Sequence, residues 1–263
     1  HFFIDYGVEL TGVTAFTVTG LPGQVIEVRH GEELSAPDEV RYDIRANCRY
    51  QEFCTLSGQP SEMVEFYEYK GFRYVELLNW PGELVADDIW VIEQHYPFDE
   101  QACRFRSSDQ LLNDIWNLCR NGVRQGTQDT YLDCPTREKG GFLGDAFITS
   151  LSHLILTGDL RVMKKYLEDC ANSTRLFPGI MGVSPTYALT FFAEYSMLWP
   201  MLLRQYYLWS GDRAFIEKML PALDSLLTYY GQYANQEGFL EKITELQDIH
   251  SPGFLVDWPT NLR

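Results

Sequence analysis

Asp133-Cys134-Pro135-Thr136-Arg137-Glu138-Lys139-Gly140-Gly141-Phe142-Leu143-Gly144-Asp145 gathers three carboxylates, an arginine, an aromatic ring and three glycines into one short stretch. Pro135 disfavours helix at Cys134. The glycines allow tight turns and close backbone approach. The stretch therefore reads as an ordered loop that holds acids in place, set just ahead of a strongly apolar helix. What lies on either side of it decides the fold, because the hydrophobic period differs between the two halves of the chain.

Upstream, residues 1 to about 98 read as β structure. Val13–Thr19 and Val25–Arg29 are rich in β-formers and flank Gly20-Leu21-Pro22-Gly23, a strong turn signal. Glu62–Tyr69 alternates before Lys70-Gly71, Phe72–Leu77 returns as a second strand, and Asp88–His95 supplies another. Short strands with Gly/Pro turns predict an antiparallel β-sandwich.

The period changes near Pro97. Leu111, Leu112, Ile115, Trp116, Cys119 and Val123 fall at helical spacing, with Ser107 or Ser108 as the expected cap. Beyond the loop, Phe147, Leu151, Leu154 and Ile155 mark one helix, and Val162, Tyr166 and Cys170 the next. Phe191, Tyr195, Leu198, Leu202, Tyr206 and Trp209 mark a long helix with a bend expected at Pro200. Phe215, Met219, Leu223, Leu226 and Tyr230 continue the series, with Pro221 expected to open a fresh helix.

Thr157-Gly158-Asp159 and Ser210-Gly211-Asp212 are matching joints, 53 residues apart, each with a helix-ending glycine and an aspartate suited to cap the next helix. Helix hairpins repeating at this interval predict an α/α toroid. Six hairpins need roughly twice the helical length available, and His1 stands where an initiator Met is expected. The domain expectation is thus a β-sandwich over 1–98, truncated at its start, followed over 99–263 by the N-terminal half of a toroid.

Composition narrows the function. A net charge of −16 makes nucleic acid or an anionic membrane surface a poor partner, and no apolar run reaches the length of a membrane span. The 14% aromatic content supplies flat rings suited to sugars, although most such rings pack in cores. The six cysteines show no C-x-x-C pair and read as free thiols. The five histidines have no metal spacing, and there is no G-x-S-x-G elbow or dinucleotide fingerprint. His153, inside a helical pattern, reads as structural. No signal peptide is visible, and the compartment stays open.

The remaining chemistry lies in the loop. Glycosidic bonds are cleaved by two carboxyl groups, one of which protonates the leaving oxygen. Glu138 is the acid candidate, with Phe142 as an aromatic neighbour and partial burial expected to keep it protonated. Asp133 and Asp145 suit hydrogen bonds to sugar hydroxyls, and Arg137 suits a hydroxyl or a carboxylate. Each has a plainer reading. Asp145 has the position of an N-cap, Asp133 before Cys-Pro that of an Asx-turn residue, and Arg137 with Glu138 that of a surface ion pair.

The D-x4-E-x6-D spacing, with Arg137 directly before Glu138, resembles the signature of the α-L-rhamnosidases of glycoside hydrolase family 78. Asp5-Tyr6-Gly7, Gly12, Gly20–Gly23, Arg29-His30-Gly31-Glu32 and Gly71–Glu76 are similar to the β-domain of that family, and Val256-Asp257-Trp258 to a later aspartate-tryptophan segment. The resemblance implies an (α/α)6 toroid that removes terminal α-L-rhamnose from carbohydrate substrates with inversion, without a cofactor. It makes Glu138 the general acid, Asp133, Arg137 and Asp145 sugar-binding residues, and Trp258 an aromatic wall. Two departures stand out. Gly140-Gly141-Phe142 replaces the family's Leu-Gly-Trp, which makes Phe142 the aromatic residue of the sugar site here. No residue matches the family's general base, so this chain by itself is expected to be inactive. A related glycosidase acting on another sugar and a non-catalytic carbohydrate-binding protein are the alternatives.

Overall fold

The structure is a computed structural model that describes residues 1–45, 47–185 and 191–241. The chain divides into two compact units. One comprises residues 1–98, 105–128 and 134–138, and the other residues 99–104, 129–133 and 139–263.

The first unit is built on an antiparallel sheet. Strand β1 (Phe2–Val18) is its spine, joined by β2 (Val25–Gly31), β5 (Gln51–Thr55), β6 (Glu62–Glu65), β7 (Lys70–Leu78) and β8 (Ile89–Glu93) in the order β5-β2-β7-β1-β6, with β8 also on β1. A two-stranded ribbon of β3 (Leu34–Ala36) and β4 (Glu39–Val40) stands apart from that sheet. Gly12 of β1 faces Lys70 of β7 and Glu93 of β8, and Phe16 faces Val64 of β6 and Ile89 of β8. Strands β6 and β7 therefore share one edge of β1. The return expected at Lys70-Gly71 is absent: β6 and β7 both pair with β1, and Lys70 and Gly71 are already inside β7. Gly71 is there for space, since a Cβ would lie 3.0 Å from Pro135 and Thr136.

Phe16, Val18, Ile26, Val28, Phe72, Val75 and Leu77 from these strands form one buried apolar cluster with Trp80. Each such side chain contributes about 1.5–3 kcal/mol by leaving water. The same strands also carry a polar cluster. Thr14 Oγ1 lies 2.8 Å from His30 Nε2, and Lys70 Nζ lies 2.7 Å from Glu52 Oε1. Burial, and then the Lys70 charge, push the His30 imidazole down to about 3, so it is neutral.

Helix α1 (Gln110–Gly126) belongs to this unit. Its N-cap is Asp109, whose Oδ1 accepts from Leu111 N–H, rather than Ser107 or Ser108. The Gln125 side-chain Oε1 accepts from the Thr11 N–H at 2.9 Å and fixes the end of α1 to β1. The predicted apolar stripe exists, but Leu111, Leu112 and Ile115 are 65%, 46% and 46% exposed. Helical period reveals that a face is apolar and not whether anything covers it.

The second unit holds α2 (Leu143–Thr157), α3 (Arg161–Ser173), α4 (Ala193–Ser210) and α5 (Arg213–Gly231). Both predicted joints end a helix at their glycine, but only the second aspartate is an N-cap, since α3 has Leu160 at that position. Gly158 and Gly211 end α2 and α4 with φ of 71° and 65° in the left-handed region, where glycine carries no Cβ penalty. Asp212 caps α5 by accepting from Phe215 N–H. Pro221 does not open a new helix but lies inside α5, because Phe215, Met219, Leu226 and Tyr230 are buried along its length and hold it together past the missing N–H. The buried side of α2 is Leu143, Ala146, Ser150, His153 and Leu154, while Ile155 faces outward. Trp209 of α4 is likewise exposed, and buried Trp199 donates to the Leu167 carbonyl at 3.0 Å. All six cysteines are free thiols.

Candidate active site

The acidic stretch is divided between the units, with 134–138 in the sheet unit and 133 and 139–145 in the helical unit. In the helical unit the loop is closed by a reciprocal clamp. Asp133 N–H donates to the Gly140 carbonyl at 2.9 Å, and Gly140 N–H donates to Asp133 Oδ1 at 2.9 Å. Asp133 is thus a clamp across seven residues and not a local Asx-turn. One of its carboxylate oxygens is spent on that bond. Lys139, just before the clamp closes, has φ of 53°, a left-handed conformation that costs a non-glycine residue energy and that the clamp holds in place.

The glycines that follow are there for close approach. The Gly141 carbonyl accepts from the Tyr166 hydroxyl at 2.8 Å, and Leu143 N–H donates to the Val183 carbonyl. A Cβ on Gly140 would come within 2.5 Å of the Phe142 ring, and one on Gly144 within 2.7 Å of the Tyr195 ring. The two differences from the family pattern are therefore coupled: the phenyl ring occupies the space that a side chain at 140 would need.

Phe142 is the N-cap position of α2 and supplies no side-chain bond. Asp145 lies in the first turn, so the N-cap reading of this residue does not hold. Its charge is favoured there by the helix dipole, and it is among the groups that, after burial, raise the Tyr166 hydroxyl.

In the sheet unit, Pro135 and Thr136 pack against Gly71, which seats the Cys134–Glu138 segment on the start of β7. Arg137 Nε lies 3.3 Å from Glu138 Oε1, with side chains 26% and 36% exposed. The ion pair read from the sequence is present. Beside it, Arg137 lines a cavity of about 160 Å³ together with Glu32, Glu33, Arg41, Ile44 and Arg45. Partial burial and the neighbouring Glu33 push the Glu32 carboxyl up, with Arg137 pulling it back.

Sequence reading did not single out this cavity. Glu32 was visible only as part of a glycine-containing β motif, and Arg41 and Arg45 lie in an irregular segment far from Arg137 in sequence. Trp258 lies outside the described residues. Among the described residues no group of three or more His, Cys, Asp or Glu is placed to hold a metal ion, and no helix is long and apolar enough to cross a membrane.

Residues 1–94 match the bacterial α-L-rhamnosidase concanavalin-like domain, and residues 100–262 the bacterial α-L-rhamnosidase six-hairpin glycosidase domain. An α-L-rhamnosidase of Formosa agariphila is 26% identical over 260 residues, which are 92% of this chain and 27% of that protein. One of Streptomyces avermitilis is 25% identical, over 89% of this chain and 23% of its own length. The solved α-L-rhamnosidase of Dictyoglomus thermophilum superposes with a TM-score of 0.81 at 22% identity, covering 91% of this chain and 28% of that one. The Streptomyces avermitilis enzyme complexed with L-rhamnose gives 0.73 at 23% identity, covering 89% and 23%. The chain thus spans about a quarter of the length of these relatives.

Proposed function

Because this chain belongs to the bacterial α-L-rhamnosidases by its match to both of their domain models, we propose that it carries the acid side of a site that hydrolyses terminal α-L-rhamnosides with inversion. Glu138 is the proton donor. Asp133, Arg137 and Asp145 hold the sugar, with Phe142 and Trp258 as aromatic walls. The helical hairpins α2–α3 and α4–α5 are read as part of an α/α toroid, and the sheet as the domain before it, with the boundary near residue 98.

The observation that carries this reading is the two-way clamp between Asp133 and Gly140. It closes the loop at its ends with one backbone–backbone bond and one bond from the Gly140 N–H to the Asp133 carboxylate. Catalytic carboxyls need this kind of fixed placement. Glu138 would give its proton to the glycosidic oxygen as the bond to the anomeric carbon breaks. Water would then attack that carbon from the opposite face, activated by a second carboxylate roughly 6.5–9.5 Å away. No residue described here is assigned as that base.

The test is Glu138→Gln in the full gene product. General-acid catalysis is worth about 10²–10⁴-fold, so turnover of a rhamnoside with a poor leaving group should fall by that factor. A p-nitrophenyl rhamnoside, which needs less protonation, should lose less. An unchanged rate on the poor leaving group would remove Glu138 from the role.

The Gly140–Phe142 exchange favours one second reading, a toroid glycosidase whose best sugar is not rhamnose. A panel of p-nitrophenyl glycosides separates the two, since a higher kcat/KM on another sugar supports the second.

A further inference from the structure

We propose that Tyr166 of α3 is a positioning residue for the sugar site: its hydroxyl fixes the peptide between Gly141 and Phe142 and so sets where the Phe142 ring stands against the bound sugar. This rests on the reading of Phe142 as a wall of that site.

The backbone leading into α2 supplies the first argument. Three consecutive peptide groups follow the Cα of Gly140, and each has its own anchor. The Gly140 carbonyl accepts from the Asp133 N–H at 2.9 Å. The Phe142 carbonyl accepts from the Ala146 N–H at 2.8 Å, and the Leu143 N–H donates to the Val183 carbonyl at 2.8 Å. Both outer peptides are thus held by backbone partners. The middle one is held at its Gly141 carbonyl, and there the donor is a side chain, the Tyr166 hydroxyl at 2.8 Å.

Glycine makes that bond matter. A peptide plane turns through ψ of the residue before it and φ of the residue after it. Gly141 has no Cβ, so its ψ is open to a wide range. Gly141 is also buried, and its carbonyl, deprived of Tyr166, would have to turn toward another donor. The turn is shared with φ of Phe142, and that rotation swings the ring. The ring has little slack, since it already lies where a Cβ on Gly140 would come within 2.5 Å of it.

The hydroxyl is itself held on a rigid support. Tyr166 is 1% exposed, and its ring packs edge-on against Tyr131 with centroids 6.2 Å apart. Tyr131 lies two residues ahead of Asp133, and its hydroxyl is 3.3 Å from His153 Nδ1 on α2. His153 therefore belongs to the same support. Burial pushes the Tyr166 hydroxyl well above the usual tyrosine range, so it remains a donor. A fixed group of this kind behind a ligand-facing residue is what precise placement requires.

Steady-state kinetics of the full gene product on p-nitrophenyl α-L-rhamnoside test the assignment, with Tyr166→Phe, Phe142→Ala and the double variant. Tyr166→Phe removes one oxygen and keeps the ring on Tyr131. KM should rise about three- to tenfold, the worth of one neutral hydrogen bond. The kcat should change by less than about twofold, as for lost binding that ground and transition states share equally. Phe142→Ala alone should also raise KM. In that background Tyr166→Phe should raise it no further, because no ring is left to place. A tyrosine that served stability alone would lower the active fraction, which reduces the apparent kcat and leaves KM where it was. The split therefore separates the two roles even in a less stable variant.

An unchanged KM in Tyr166→Phe, with KM raised in Phe142→Ala, overturns the proposal and leaves the sugar-wall reading standing. Equal increments from Tyr166→Phe in both backgrounds overturn it as well, since the hydroxyl would then act on something other than the ring. An unchanged KM in Phe142→Ala sinks the sugar-wall reading, and the proposal falls with it.

Discussion

Glu9 stands near the bulge of β1, with Oε1 buried and no hydrogen-bond partner among the described residues. Burial, and then the Glu32 charge, push its carboxyl up to about 8 from the ordinary 4.5, against the pull of Arg73. The folded state therefore holds this proton far longer than the unfolded chain does. Stability from this group is fully present below pH 4.5 and is lost as the pH rises through 8.

Moving a carboxyl over that interval corresponds to about 5 kcal/mol at about 1.36 kcal/mol per pH unit. Glu9 is only partly enclosed, which trims the figure to about 2–4 kcal/mol. Glu9→Gln keeps the shape and removes the titration. At pH 8.5 the variant should be more stable than the parent by about 2–4 kcal/mol, or about 1–2 M in urea midpoint for a typical slope. The difference should shrink to nothing near pH 4.5.

His30 makes the comparison sharper. Its pKa is depressed to about 3, so its contribution is present above about 6.5 and is lost as the pH falls toward 3. Between pH 4.5 and 6.5 the two slopes oppose one another in the parent. Removing Glu9 should expose the acid-side loss beginning near 6.5. Urea unfolding followed by hydrogen exchange of the β1 and β7 amides reads this unit alone. A stability difference that does not vary between pH 4.5 and 8.5 would refute the argument.

Three further outcomes are expected. Lys70→Met leaves Glu52 without its 2.7 Å partner and should destabilise the sheet unit by about 3–5 kcal/mol, most of it recovered in Lys70→Met/Glu52→Leu; chemical denaturation measures both. Gly140→Ala drives a methyl into the Phe142 ring and should cost about 1–3 kcal/mol, and the cost should largely vanish in a Phe142→Ala background, as a double-mutant cycle will show. Gly158→Ala and Gly211→Ala force a Cβ into left-handed backbone and should each cost about 1–2 kcal/mol by thermal unfolding.

Features encoded over short range were legible in the sequence, and those assembled over long range were not. The glycine-aspartate joints were readable because a helix end is a local event, decided by which residue tolerates positive φ. The change of period near Pro97 was readable for the same reason. Where the reading failed, a distant residue had decided the outcome. Lys70-Gly71 looked like a turn, but the partly buried Glu52 carboxylate and the crowding by Pro135 and Thr136 make both residues part of a strand. The cavity draws Glu32, Arg41 and Arg45 toward a segment about a hundred residues later, and no local pattern marks such a meeting.

The plainer readings of the loop acids now carry unequal weight. Asp145 is not the N-cap of α2, because the helix begins two residues before it. Asp133 is structural in part, but the clamp uses a single oxygen, and a carboxylate has about four acceptor directions. An asparagine at 133 would serve the clamp equally well, so the clamp alone does not explain a charged side chain there. Arg137 and Glu138 do form the ion pair that a solvated surface would show. An isolated exposed pair of that kind contributes about 0–1 kcal/mol, too little to account for a loop built from closely packed glycines and one strained lysine. On the proposed reading, that backbone serves the placement of the loop acids.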